Sequence, residues 1–567
     1  MFRSRISFMT LFLIVVVGCL TVGPVLMLIL GSFSRGIGAF GTFTVEKYIR
    51  VYTDPSLPKI LLNTVAFTVG ASLFATALAL VLAYLNVRTD IPLKGVFHLI
   101  SITPMMIPHI VFATSWVLLL NPSNGILNLL LREVFGLKRS LFDIYTLGGM
   151  IMVEGLLDLP IAYLIIAPAM SSFDASLEEA AWVSGGSKFR ALRRVTFPIL
   201  RPAILASLAL VIVRSLAAFA VPSVIGMPGR VYVLTTYIYR LISLGFMPDY
   251  GRAAAVGVSV LVTSTILVYV YRRLTARSER YVTISARGYK PTIIGLGKWR
   301  YPLSMLTALL FLVLIVIPVL VLLYVSLVPY VMPPSAKALG MITLKHWNYV
   351  LKDPLSLRAL KNSVFLALVG ASLGILLSTF VSYIIVRVRS AGSALLESLA
   401  FFSFSFPGLV IGIGFMWFFV RTPLYATIWA LLIGYIATYL PYGIRPLTST
   451  FIQISEDLEE ASKVAGAGFL HTFRRVVIPL AIPGMVSGWI LMASMFLREL
   501  SLSAVLSRPG TEVLAVQILR FADDSLWGQV SALGILMIAI STVMVVLATM
   551  TGKRIGKMRK TRGRQTL

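Results

Sequence analysis

Five ionisable side chains stand inside otherwise apolar stretches: Glu154, Asp158, Arg214, Arg498 and Glu499. Charges held away from water are costly, so such groups pair with one another or line a solute path. Glu154 and Asp158 lie four residues apart, on one face of a helix. Either carboxylate can pair with Arg214 and hold helices together, or meet a charged solute. His109 sits differently, following Pro108 in a stretch that also carries Pro104, Met105 and Met106. Proline removes a helical hydrogen bond, and a broken helix with freed carbonyls can border a cavity. Phe406-Pro407-Gly408 stands at the corresponding repeat position without a histidine, so Pro108 and Pro407 read as paired gate elements. A lone histidine is a poor metal ligand set, and no metal site is expected. Glu154, Asp158, Arg214, Pro108, Pro407, Arg498 and Glu499 are the candidate pathway and gate residues.

The elements that carry them must cross a membrane. The chain is 58% hydrophobic and 13% charged, whereas soluble chains carry about a quarter charged residues. Apolar runs of roughly 20 residues span a bilayer as helices. Twelve are predicted, near 9–31, 59–85, 95–120, 146–169, 203–225, 253–271, 301–328, 361–386, 394–420, 424–446, 484–507 and 530–550. The fold class is all-α and polytopic. Arg3 and Arg5 precede the first run as in a signal peptide. That run is about twice the usual length and shows no small-residue cleavage site, so it reads as a retained span. Cys19 is the only cysteine, which excludes an internal disulfide.

The formal charge of +28 is concentrated at span ends. Segment 272–300 holds eight Lys/Arg against Glu279, and 551–567 holds seven and no acid. Basic residues beside spans favour the cytoplasmic side, so the charge points to membrane orientation and not to nucleic acid. With twelve spans, both termini and the linker are expected in the cytoplasm.

The chain repeats itself. Asn63-Thr64-Val65, Tyr84, Arg88 and Pro108 answer Asn362-Ser363-Val364, Tyr383, Arg387 and Pro407 at an offset of 299. Further on the offset is 281: residues 176–203 and 457–484 align without a gap, 11 of 28 being identical. The first half therefore carries 18 extra residues, placed in 121–145 by its Asn-Pro-Ser-Asn-Gly turn chemistry. Two halves of six spans each have the same orientation, a parallel repeat about an axis along the membrane normal. The expected division is a first half 1–275 with its loop at 172–202, a basic linker 276–300, a second half 301–550 with its loop at 453–483, and a basic tail 551–567.

Each aligned segment is the most polar part of its half. Glu179-Ala180-Ala181, Gly185 and Pro198 match Glu460-Ala461-Ser462, Gly466 and Pro479 in type and spacing. This pattern, between the fourth and fifth span of each half, resembles the EAA loop of permease subunits of bacterial ABC importers. The resemblance covers nearly the whole chain and implies a type I importer fold. It also implies that those ten residues couple to a cytosolic ATPase, expected in two copies. The chain carries no phosphate-binding loop: Gly297-Lys298 is followed by Trp299 and Gly556-Lys557 by Met558. It is expected to bind no cofactor and to be no enzyme, with ATP and magnesium on the partner.

Arg498-Glu499-Leu500-Ser501 followed by Arg508-Pro509-Gly510-Thr511 resembles the ferric-iron branch of these permeases. Ferric iron is accordingly the first expected cargo, handed over by a periplasmic or lipid-anchored binding protein. Phosphorylated sugars, phosphonates and thiamine are alternatives within the same machinery. A proton- or sodium-coupled secondary transporter, with Glu154, Asp158 and Glu499 as relay carboxylates, is the alternative of a different class. It gives no reason for two polar Gly-centred loops. The expected location is the bacterial inner membrane.

Overall fold

The computed structural model describes residues 2–36, 43–171, 190, 192–243, 248–278, 293–388, 390–403 and 406–565. Among these, helices fill all twelve apolar segments, and pairing outside helices is limited to the isolated bridges Ser34–Phe43 and Thr89–Ile294. Nine helices are long and apolar enough to cross a bilayer unbroken. The third segment is a pair, Lys94–Met105 and His109–Leu120, bent by 100°. The ninth is likewise two short helices, Ala391–Phe402 and Gly408–Phe419. The tenth, Ile428–Gln453, carries Arg445, Pro441 and Pro446. We number these twelve segments spans 1 to 12.

Spans 5 and 11 are shifted from the sequence expectation. They run from Arg193 to Ala217 and from Phe469 to Leu497, earlier at both ends than the apolar runs suggested. Hydropathy places boundaries by apolar content, but here the Arg193-Arg194 and Arg474-Arg475 segments continue the helix. Pro198 and Pro479 lie within these rods, each the second residue after a wide π-type turn, Leu192–Thr196 and Phe473–Val477. Such a turn shifts the hydrogen-bond register just where proline lacks its N–H.

The halves interleave. Span 1 (Phe2–Ser32) packs along both helices of span 9, in the other half, and along span 6 of its own. Span 7 ends in Ile317–Leu327, which packs against His109–Leu120 of the first half and against span 12. Small residues permit the approach: Gly31 faces the indole of Trp417, and Gly414 faces the backbone of Pro24. Leu13 and Val17 of span 1 share a cluster with Tyr383, Phe451 and Phe473, so the chain starts on the same face as loop 453–483.

On the opposite face, Asp54 fastens the start of span 2 to span 6. It accepts hydrogen bonds from Tyr237 (2.6 Å), Ser56 Oγ (2.7 Å to its other oxygen) and Arg252 (3.1 Å). Burial pushes its carboxyl up, but these hydrogen bonds and the Arg252 charge outweigh that and hold it at about 2. The insertion after span 3 folds around Asn128, whose amide donates to the carbonyls of Leu120, Asn121 and Phe142.

Candidate functional site: a central cavity and a coupling loop

A cavity of about 220 Å³ lies between the halves. Residues from both halves line it, among them His109, Glu154, Arg214, Pro407, Arg498 and Glu499. Six side chains from five separate stretches of the chain thus converge. The breaks in spans 3 and 9 position two of them. Pro108 and Pro407 have nearly the same extended backbone (φ −59°, ψ 133° and φ −60°, ψ 135°), and each precedes a new helix. Pro407 borders the cavity itself, whereas Pro108 delivers its neighbour His109 there.

The charges resolve into different roles. Asp158 is fully buried and accepts from Arg214 Nε (2.9 Å) and Ser215 Oγ (3.0 Å). It acts as the counter-ion of Arg214, while Arg214 borders the cavity. Glu154, one turn earlier, is buried, faces the cavity and has no hydrogen bond or ion pair among the described residues. Arg498 ends span 11 and reaches across to the first half, donating to the carbonyl of Met105 (2.6 Å) at the break in span 3. That carbonyl is one freed by the bend, and the arginine satisfies it. Glu499 accepts from the Tyr439 hydroxyl and from the Leu502 N–H (2.6 Å). Tyr439 and Tyr442 also line the cavity, and sequence reading missed both. The signal was available: Tyr435 and Tyr439 occupy the repeat positions of Glu154 and Asp158. Among the described residues no three His, Cys, Asp or Glu side chains converge as metal ligands.

The second polar loop is described throughout; Glu179, Ala180, Ala181 and Gly185 of the first lie outside the described residues. Asp457–Val464 forms a helix, with three acids in its first turn and Lys463 in its last, as the helix dipole favours. Gly466 follows with φ +82°, a conformation costly to residues with a Cβ, and a Cβ there would meet nothing within 4 Å. Ser462 Oγ lies 2.9 Å from Thr472 Oγ1, closing the loop on the start of span 11. Glu460 and Ala461 point to solvent. Leu458 and Val464 of this helix and Leu470 of the next, Phe469–Thr472, are also exposed, Val464 to 89%. The buried carboxylate is Glu459, which sequence reading had not singled out.

The family described as binding-protein-dependent transport system inner membrane component matches residues 75–280 and again 370–557. The ferric transport system permease protein FbpB of Actinobacillus pleuropneumoniae is 25% identical over 514 residues, 89% of this chain and 73% of that relative. The Fe(3+)-transport system permease protein FbpB 2 of Haemophilus influenzae is 23% identical, covering 96% of this chain and 98% of its own length. A bacterial ABC transporter involved in alginate import, solved by crystallography, covers 45% of this chain and 88% of its own at 21% identity, with a TM-score of 0.37. Matched twice, and over more than half of its length, the chain belongs to the family of binding-protein-dependent transport system inner membrane components, as a permease of two fused halves.

Proposed function

We propose that this permease imports ferric iron, driven by two copies of a cytosolic ATPase that dock on its two polar loops. The observation that carries the docking is three exposed apolar side chains, Leu458, Val464 and Leu470, in an otherwise polar loop. Exposed apolar groups on such a surface mark a protein contact. The first loop repeats the residue types as Leu177, Val183 and Phe189 at the same offset of 281. Two similar sockets fit two copies of one motor. In this reading the loops, both termini and the basic linker face the cytoplasm, and a binding protein delivers cargo to the opposite face. Closure of the ATPases brings the loops together, and the central cavity changes its side of access.

The iron assignment rests on the ferric-transport relatives aligned over most of the chain. Glu154, Glu499 and Tyr439 supply hard oxygen atoms around the cavity, of the type that suits ferric iron. Arg214 and Arg498 border the same space and favour a small anion, such as a phosphorylated sugar or phosphonate, as the second reading. Uptake by vesicles holding the permease, its ATPase and its binding protein decides. Radiolabelled ferric iron accumulating with ATP supports the first reading; accumulation of phosphonate or sugar phosphate alone overturns it. The mass of the purified complex reports how many ATPases it holds.

A further inference from the structure

Span 8 is gripped towards one end by a loop side chain, and towards the other its own side chains hold loop backbone. It runs as Pro354–Phe365, a wide turn Leu366–Gly370, and Ala371–Arg387. At its Arg387 end, Glu459 of the second loop accepts from Arg387 Nε at one oxygen (2.7 Å) and from the Tyr383 hydroxyl at the other (2.8 Å). The Arg387 guanidinium also donates to the carbonyl of Ile454 (2.8 Å). The paired side chains are 9% and 6% exposed, so this is a buried, fully bonded ion pair and not a surface contact. Aromatic rings surround it. Tyr383 meets Phe451, Phe469 and Phe473 at centroid distances of 6.0, 5.9 and 5.2 Å, and Phe380 stacks on Phe473 at 5.1 Å.

At the other end, Asn362 Nδ2 donates to the carbonyls of Gly510 (3.2 Å) and Glu512 (2.9 Å), and Ser363 Oγ accepts from the Leu514 N–H (2.8 Å). These bonds hold the Arg508–Thr511 turn on the opposite face. The helix between the two grips is about 30 Å long, the thickness of a bilayer core.

We propose that span 8 is a rod carrying the displacement of the second coupling loop to the opposite face, with Tyr383, Arg387 and Glu459 as positioning residues. This rests on the reading that an ATPase docks on the loop. Span 10 ends at Gln453, and extended Ile454 separates it from the loop helix. Span 11 follows the loop through its backbone, and span 8 follows it through the buried ion pair. The opposite-face grip recurs in the first half: Asn63 Nδ2 donates to the Tyr232 carbonyl (3.2 Å) and Thr64 Oγ1 accepts from the Leu234 N–H (3.0 Å). Tyr84, Arg88 and Glu178 repeat the residue types of the other grip, Glu178 lying outside the described residues.

The test uses the full chain with its ATPase and binding protein in vesicles. Glu459→Gln and Arg387→Ala are expected to keep ATPase co-purification at the wild-type ratio while uptake falls about tenfold. The exchange R387E/E459R is expected to recover uptake, and N362A/S363A to reproduce the defect from the far end. Wild-type uptake in Glu459→Gln overturns the rod, as does loss of the ATPase from the complex, which would make Glu459 a docking residue. Failure of the docking reading looks different, since the wild-type chain then captures no ATPase, and the proposal falls with it. If the single variants do not accumulate, R387C/E459C in a C19S background decides. Uptake retained after joining the two cysteines with a short bifunctional thiol reagent supports a loop and rod that move together; uptake abolished by the joining overturns it.

Discussion

The two halves share a backbone plan but distribute their chemistry differently. In the first, the carboxylates Glu154 and Asp158 sit on span 4 and their counter-ion Arg214 on span 5. In the second, the same span-10 positions hold Tyr435 and Tyr439, and the charges sit at the end of span 11 as Arg498 and Glu499. Ala217 and Ala218 occupy the repeat positions of those two. A cavity between the halves therefore receives a different set of groups from each wall. The loops diverge in the same manner. Phe451, Phe469 and Phe473, which box in Tyr383, and Phe380, which stacks on Phe473, correspond to Met170, Lys188, Leu192 and Val81. Duplication preserves the residue types of both polar loops, and the intervening positions are free to specialise.

The largest expected effect breaks the asymmetry at its buried pair. Asp158→Asn leaves Arg214 without its counter-ion and is expected to destabilise the first half by about 3 kcal/mol or more. Tyr439→Phe, at the repeat position, removes one hydrogen bond to Glu499 and costs about 1–2 kcal/mol. Thermal unfolding in detergent compares them; equal losses would show that the two walls are equivalent after all. Next, replacing Val464 and Leu470 with aspartate removes two exposed apolar side chains of the second polar loop. ATPase affinity, read by titration on the purified permease, is expected to fall about tenfold or more, with the permease fold unchanged. The matching changes V183D/F189D test whether the first loop is an equal socket.

Glu154→Gln is expected to leave thermal stability near wild type, because the carboxylate has no hydrogen bond or ion pair among the described residues, and to lower uptake about tenfold if it faces cargo. Undiminished uptake would reassign Glu154 to a passive wall. The smallest effect lies at the opposite face. Asp54 is held at about 2 against an ordinary 3.8. A depressed acid contributes stability above its unfolded value and loses it as pH falls through the folded one. Asp54→Asn is expected to lower stability by about 1 kcal/mol at pH 7, and the gap to wild type is expected to close between about pH 4 and pH 2. Asp353 answers Asp54 at the offset of 299 and, among the described residues, accepts from the N–H and hydroxyl of Ser356 within its own helix start.

Much of the molecule was legible from residue patterns. Span-length apolar runs must become helices in lipid, because no water is present to satisfy an exposed backbone. Two polar segments repeating in type and spacing identified the loops, and two prolines at one offset located the breaks in spans 3 and 9. The pairing of Arg214 with a span-4 carboxylate was also anticipated, though not which one. That choice is geometric: Asp158, and not Glu154, stands level with Arg214 and Ser215. Glu459 and Glu460 are neighbours of identical type, yet only Glu459 faces Arg387 and Tyr383. One step along a helix turns a side chain by about 100°, and the tertiary position of span 8 decides which of them is buried.

By itself the sequence determined what is local and repeated: the helices, their duplication, the polar loops and the family. Tertiary structure decided what joins distant segments. It set span 1 against span 9 and span 7 against span 3, brought charges from both halves to one cavity, and fastened span 8 to a loop outside its own connections. The physical reason is that apolar helix faces resemble one another and resemble lipid. Their partners are selected by close packing at small residues such as Gly31 and Gly414, and by a few polar groups that must find each other.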